Sequence, residues 1–294
     1  MNNFGELITA MVTPFDKGYN LALGCCTKLI NHLIDQASDG VLLSGSTGES
    51  ATLDDNEKIK LYKFVKDNFG SKIKVIAGTG SNDTRHSVEL SKEAEKIGVD
   101  GLLLVAPYYN KPSQWGMLKH FEAIAGEVKI PILLYNVPSR TSSNISSRVC
   151  VELSKIDNIC GIKEASGNMR QIAEIIRDTD KDFLVYSGND GDTLPILSLG
   201  GHGVISVASH IVGRKIKEMI IGFKTGDFRK AAELHRDLVD IFYGIFIDTN
   251  PVPIKEALNL KGIDVGTCRL PLCSMDDEKL QSFKKILKRY KVID

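Results

Sequence analysis

Apolar residues follow two alternating rhythms along this chain. Runs that are apolar almost throughout occupy residues 7–12, 40–44, 74–77, 101–106, 130–135, 159–163, 183–187 and 203–207. Between them, the stretches 54–69, 84–97, 114–127 and 169–177 place apolar residues at i, i+3 and i+4, the spacing of one helical face. A run such as Gly101-Leu102-Leu103-Leu104-Val105 shows no polar alternation, which predicts a parallel strand covered on both faces. Eight strand–helix units in 294 residues predict an α/β fold, a (β/α)₈ TIM barrel. A doubly wound sheet is the alternative, but no run leads into a GxGxxG turn. Beyond residue 212 the strand pattern stops and helical patterns follow over 215–224, 228–246, 253–259 and 276–290. The expected division is residues 1–225 for the barrel with its catalytic site and 226–294 for a small C-terminal helical appendage. No low-complexity linker separates them, so the appendage is expected to pack on the barrel.

Composition narrows the function. The chain carries 37 basic and 37 acidic side chains and no net charge, which argues against a nucleic-acid partner. No segment approaches the length of a membrane span, and the first residues carry no basic leader. Six cysteines stand at 25, 26, 150, 160, 268 and 273 without a CxxC pair. Neither a disulfide framework nor a zinc site is expected, and a reducing, cytoplasmic compartment is. His202 and His210 are not at a helical ligand spacing, so no metal is expected.

A barrel gathers its chemistry at the C-terminal ends of its strands. Lys163 closes the run Ile159-Cys160-Gly161-Ile162. A lysine there either snorkels to water or loses solvation, and desolvation lowers its pKa and leaves an amine able to attack a ketone. After the second strand, Gly45-Ser46-Thr47-Gly48-Glu49-Ser50 offers two hydroxyls in a glycine-framed turn, suited to a carboxylate and equally to an ordinary loop. Pro107-Tyr108-Tyr109-Asn110 follows the fourth strand, and Tyr135-Asn136-Val137-Pro138-Ser139-Arg140 spans the end of the fifth. Tyrosine and arginine there supply a general acid/base and an anion clamp. Ser187-Gly188-Asn189-Asp190 ends the seventh strand. Glu49 and Glu164 raise a carboxylate pair for glycoside cleavage, but strand alternation turns Glu164 away from Lys163.

Together GSTGES, PYYNKPS, YNVPSRT, GIKEASG, YSGND and GGHGVISV resemble the class I pyruvate-dependent aldolase/lyase family, nearest to its dihydrodipicolinate synthases. The likeness runs from residue 5 to residue 260 and includes Asn250-Pro251-Val252-Pro253-Ile254-Lys255. It implies a Schiff base between Lys163 and pyruvate, whose carboxylate Ser46 and Thr47 hold. It implies proton transfer by Tyr135, relayed through Thr47 to Tyr109, with Tyr109 reaching in from a neighbouring subunit of a homotetramer built as a dimer of dimers. Arg140 would bind the carboxylate of L-aspartate 4-semialdehyde, and backbone groups of Gly188 and Ile205 would line the pocket. The imine is the electron sink, so no cofactor is implied. Family cousins that cleave 2-keto-3-deoxy sugar acids or N-acetylneuraminate share the lysine and the tyrosine. Arg140 favours the synthase, whereas Ser46, where the synthases usually have threonine, is a feature of the cousins.

The same resemblance implies an inhibitory site for L-lysine at the dimer interface, matched by Ser50, Ala51, Asn82 and Tyr108. Asp55 and Lys58 replace histidines of that site, and His86 replaces a glutamate. Loss of the glutamate and gain of the Lys58 cation, offset in part by Asp55, predict weak inhibition or none, because L-lysine brings two ammonium groups.

Overall fold

The structure is a computed structural model and describes residues 4–294. The eight apolar runs become β1 (Leu7–Ala10), β2 (Gly40–Leu43), β3 (Lys74–Gly78), β4 (Gly101–Val105), β5 (Ile132–Asn136), β6 (Ile159–Glu164), β7 (Leu184–Ser187) and β8 (Gly203–Ser206). Each pairs in parallel with the next, and β8 returns to β1, closing the expected barrel. Two strands are displaced from their apolar runs for local reasons. β5 starts after Pro131, which has no N–H to give a ladder. β1 stops early because the Val12 amide donates to His210 Nε2 at 3.2 Å instead of to a strand.

Period-two geometry explains why the runs carry no polar alternation. Ile8, Ala10, Leu42, Ile76, Leu103, Leu133, Tyr186 and Ile205 fill the barrel interior. Val41, Leu43, Val75, Leu102, Leu104, Leu134, Ile162 and Val204 face outward into the layer beneath the helices. Both faces are therefore dry.

The helices are α1 (Leu23–Asp35), α2 (Asp55–Phe69), α3 (Thr84–Ile97), α4 (Gln114–Ala125), α5 (Pro138–Thr141), α6 (Ser147–Leu153), α7 (Met169–Asp178), α8 (Thr193–Ser198), α9 (Ser209–Lys224), α10 (Phe228–Gly244), α11 (Val252–Leu260) and α12 (Asp277–Arg289). Four of the helices expected between strands start at side-chain caps: Asp54 with Glu57 in a capping box on α2, Asp83 on α3, Ser113 on α4 and Asn168 on α7. The helical stretches expected from the sequence leave out α1, α5, α6 and α8. No side chain caps α1, and α6 and α8 are 7 and 6 residues long, too short to show a period. α9 starts earlier than its pattern and kinks at Val212.

After β8, α10 packs on α9 and α12, and α11 packs on α9. This C-terminal region also reaches back over the barrel mouth, where the functional groups lie. Among the described residues no helix is long and apolar enough to cross a membrane.

Candidate active site

Lys163 stands one residue from the end of β6 and points into the barrel, because its neighbours Ile162 and Glu164 point out. Ile162 joins the outer core. Glu164 accepts from Asn136 Nδ2 at 3.0 Å, Gln171 Nε2 at 3.1 Å and the Ser166 amide at 2.8 Å. Strand alternation thus separates Glu164 from the lysine, as the sequence predicts, and leaves no glycosidase-like carboxylate pair.

The cross-strand neighbour of Lys163 is Tyr135 on β5. Lys163 Nζ lies 4.4 Å from the centre of the Tyr135 ring. The lysine is 5% exposed. Burial lowers its pKa to about 7, the Asp190 carboxylate opposes that, and the Arg140 charge adds to it. Asp190 is itself fixed: its oxygens accept from Ser206 Oγ and from the amides of Val207 and Ala208, the last two at 3.1 and 3.0 Å. A large share of the amine is then neutral and nucleophilic at pH 7. Burial raises the pKa of Tyr135, against the Arg140 charge and the Ser46 hydroxyl. The phenol therefore holds its proton until a stronger base takes it.

Ser46 and Thr47 sit in the turn that follows β2. Two left-handed residues shape it, Ser44 at φ 46° and Glu49 at φ 55°. Gly48 between them fits closely: a Cβ there would lie 3.0 Å from the Ser44 amide nitrogen and 3.1 Å from the Met11 carbonyl oxygen. Thr13 Oγ1 donates to the Gly48 carbonyl at 2.7 Å. The turn, Tyr135, Lys163, Arg140 and Gly188 border one cavity of about 480 Å³. Gly188 packs against the lysine; a Cβ at that position would meet Ala165 Cβ at 2.7 Å and Lys163 Cε at 3.2 Å. Arg140, on α5, is exposed at the rim, and its Nη2 donates to the Asn250 carbonyl at 3.4 Å.

A second cavity of about 320 Å³ adjoins the first and shares Ser46, Arg140 and Asn250 with it. Ser50, Ala51 and Tyr108 line it. Asn82 is not among its lining residues; the Asn82 carbonyl accepts from Asn110 Nδ2 at 2.9 Å. Nearby, Asp55 is held by His86 Nε2 at 2.8 Å and by Lys58 Nζ at 3.5 Å.

A family model described as the dihydrodipicolinate synthetase family matches residues 3–290. The chain belongs to the dihydrodipicolinate synthetase family. One relative, the 4-hydroxy-tetrahydrodipicolinate synthase of Heliobacterium modesticaldum, is 50% identical over 287 residues, covering 98% of this chain and 96% of its own. The dihydrodipicolinate synthase structure from Bacillus anthracis superposes with a TM-score of 0.96 at 46% identity, covering 98% of this chain and 99% of its own. The family member from Cyanidioschyzon merolae, solved with lysine bound, gives a TM-score of 0.96 at 43% identity and covers 99% of each chain.

Within the single family chain, Lys163, Tyr135, Ser46, Thr47, Arg140 and Gly188 converge on the cavity. Two predicted site residues do not. Tyr109 projects from the β4–α4 loop with 90% of its surface exposed and is not among the lining residues of the cavity at Lys163. Ile205 is buried inside the barrel and lines neither cavity. Sequence reasoning overlooks Asn250. Its Nδ2 donates to Thr47 Oγ1 at 2.9 Å, and it lines both cavities. It also leaves Asp190 without a role. The cue for Asp190 was its place directly after β7; for Asn250 only proximity in space supplies one.

Proposed function

We propose that this chain condenses pyruvate with L-aspartate 4-semialdehyde to give 4-hydroxy-tetrahydrodipicolinate, in diaminopimelate and lysine biosynthesis. The observation that carries this reading is the buried Lys163 amine, lowered to about 7, set between Tyr135 and the Ser46–Thr47 turn. Pyruvate enters with its carboxylate on Ser46 and Thr47. Lys163 Nζ attacks the keto carbon; the carbinolamine loses water and leaves an imine. Loss of a methyl proton gives the enamine, whose carbon attacks the semialdehyde carbonyl. Arg140 binds the semialdehyde carboxylate. Attack of that substrate's own amine on the imine carbon closes the ring and expels Lys163. Tyr135 carries protons in these steps. The protein needs no cofactor for this, since the imine accepts the electron pair.

Tyr109 acts from a neighbouring subunit in a homotetramer arranged as a dimer of dimers. Its exposure and its left-handed backbone, φ 68°, support a tyrosine presented to a partner chain. Gly188 contributes a backbone group to the pocket wall. Six free thiols support a reducing, cytoplasmic setting. Inhibition by L-lysine is weak or absent, because Asp55 is already committed to His86 and Lys58 and is not free to take a ligand ammonium.

Borohydride in the presence of pyruvate is the test. It should inactivate the enzyme and add mass to the peptide holding Lys163. Aspartate semialdehyde should then be the preferred acceptor over sugar-derived aldehydes, with no cleavage of N-acetylneuraminate. A label on another lysine would discard the mechanism; efficient sugar-acid cleavage would move the chain to the aldolase cousins.

A further inference from the structure

The turn that carries Ser46 and Thr47 is not held by the barrel alone. Its last residue, Glu49, is buried at 5% exposure, and its side chain runs away from Lys163 into the C-terminal region. There Lys255 Nζ, on α11, lies 2.6 Å from Glu49 Oε1, with both side chains 2% exposed. The Arg269 amide donates to Glu49 Oε2 at 2.9 Å. Lys255 is fixed in turn, donating to the Thr267 carbonyl at 3.1 Å and standing 4.2 Å from the centre of the Phe15 ring. The Arg269 guanidinium packs on the same ring at 4.2 Å and binds the Glu57 carboxylate with two nitrogens. Lys255 lies 206 residues from Glu49 in sequence, so no local preference creates this junction.

We propose that Glu49 is a positioning residue: its buried pair with Lys255 clamps the Ser46–Thr47 turn at the place where the pyruvate carboxylate binds. The geometry supports this over mere adhesion. Glu49 has a left-handed backbone, so its side chain and the turn's direction are set together. Its amide closes the turn by donating to the Ser46 carbonyl at 3.2 Å. Shifting the carboxylate therefore shifts the residues that face the substrate. Lys163 rides on β6 away from the pair, whereas the turn reaches Tyr135 through the Ser46 hydroxyl and Arg140 through Asn250. The clamp thus acts most directly on the substrate that the turn itself holds.

This inference rests on the assignment of Ser46 and Thr47 to pyruvate, so the test includes a control for that assignment. Ser46→Ala and Thr47→Val should each lower kcat/KM for pyruvate; if neither does, the assignment fails and the clamp with it. The informative variant is the double change Glu49→Gln with Lys255→Met, which removes both charges and leaves no buried ion unpaired. Lys255→Met alone should lose much more thermal stability than the double variant. The double variant should nevertheless keep a defect in kcat/KM for pyruvate of about ten- to a hundredfold, the scale of a misplacement near 1 Å, with a smaller loss in kcat/KM for L-aspartate 4-semialdehyde. Glu49→Asp, which keeps the charge but shortens its reach by one methylene, should show the same larger loss for pyruvate. Normal pyruvate kinetics in a folded double variant would overturn the proposal, as would equal losses for both substrates. Failure of both the double variant and Glu49→Asp to fold would also overturn it, since the pair would then be a stability element only.

Discussion

Two buried lysines, Lys163 and Lys255, sit over aromatic rings in this protein, and the difference between their surroundings explains the difference in their chemistry. Lys163 Nζ is 4.4 Å from the Tyr135 ring centre and Lys255 Nζ 4.2 Å from that of Phe15. Burial is the largest influence on both and lowers both pKa values. Lys255 has a carboxylate at 2.6 Å and a carbonyl at 3.1 Å, and the Glu49 charge favours its ammonium form against burial. Lys163 feels Asp190 only through space, because that carboxylate is already taken by a hydroxyl and two amides. Dry surroundings alone do not make a nucleophile; a dry amine with no dedicated anion is one. The wall of the barrel supplies the second condition, and the C-terminal junction withholds it.

The contrast breaks most completely at Lys163. Lys163→Ala should abolish borohydride trapping of pyruvate and reduce turnover to background, with little change in chemical denaturation. Tyr135→Phe comes next. A positioned acid/base group contributes about 10²–10⁴-fold in rate, so turnover should fall on that scale while pyruvate still forms its imine. Wild-type-like turnover would remove Tyr135 from proton transfer.

Lys255→Met should show the opposite profile at first inspection, with stability as the main casualty. It leaves the Glu49 carboxylate buried without its cation, a change that costs about 3–5 kcal/mol, readable in the midpoint of urea unfolding. A loss below 1 kcal/mol, about the worth of a surface pair, would mean that the pair is solvated in solution and the contrast overstated. Arg140→Ala should spare the imine and lower kcat/KM for aspartate semialdehyde about ten- to a hundredfold, since a charge-assisted contact is worth about 1.5–3 kcal/mol. A defect confined to pyruvate would reassign the arginine.

The smallest effect sharpens the comparison through pH. The reactive form of Lys163 is the neutral amine, so lowering pH through its pKa removes the nucleophile. With that pKa at about 7, kcat/KM for pyruvate should rise about tenfold from pH 6 to pH 8 and then level. A profile still rising steeply at pH 9 would show that Lys163 stays charged as an ordinary lysine does.

Much of this was legible in the chain itself. Eight apolar runs alternating with helical periods marked a parallel sheet covered on both faces, and their number, with no GxGxxG turn after any of them, favoured the barrel over a doubly wound sheet. The period of two determined that Lys163 and Glu164 face opposite ways, and the barrel rule brought Ser46, Thr47, Tyr135, Arg140 and Gly188 to one mouth. Helices of two turns or fewer left too little period to read. What the tertiary structure alone decided lies in contacts between residues about 200 positions apart. Asn250 reaches Thr47 across 203 residues, and Lys255 reaches Glu49. In sequence these are an asparagine before a proline and a lysine on a short helix, types that solvent ordinarily satisfies. Only the folding of the C-terminal region back over the barrel mouth buries them, and burial without water is what forces each polar group to find its partner.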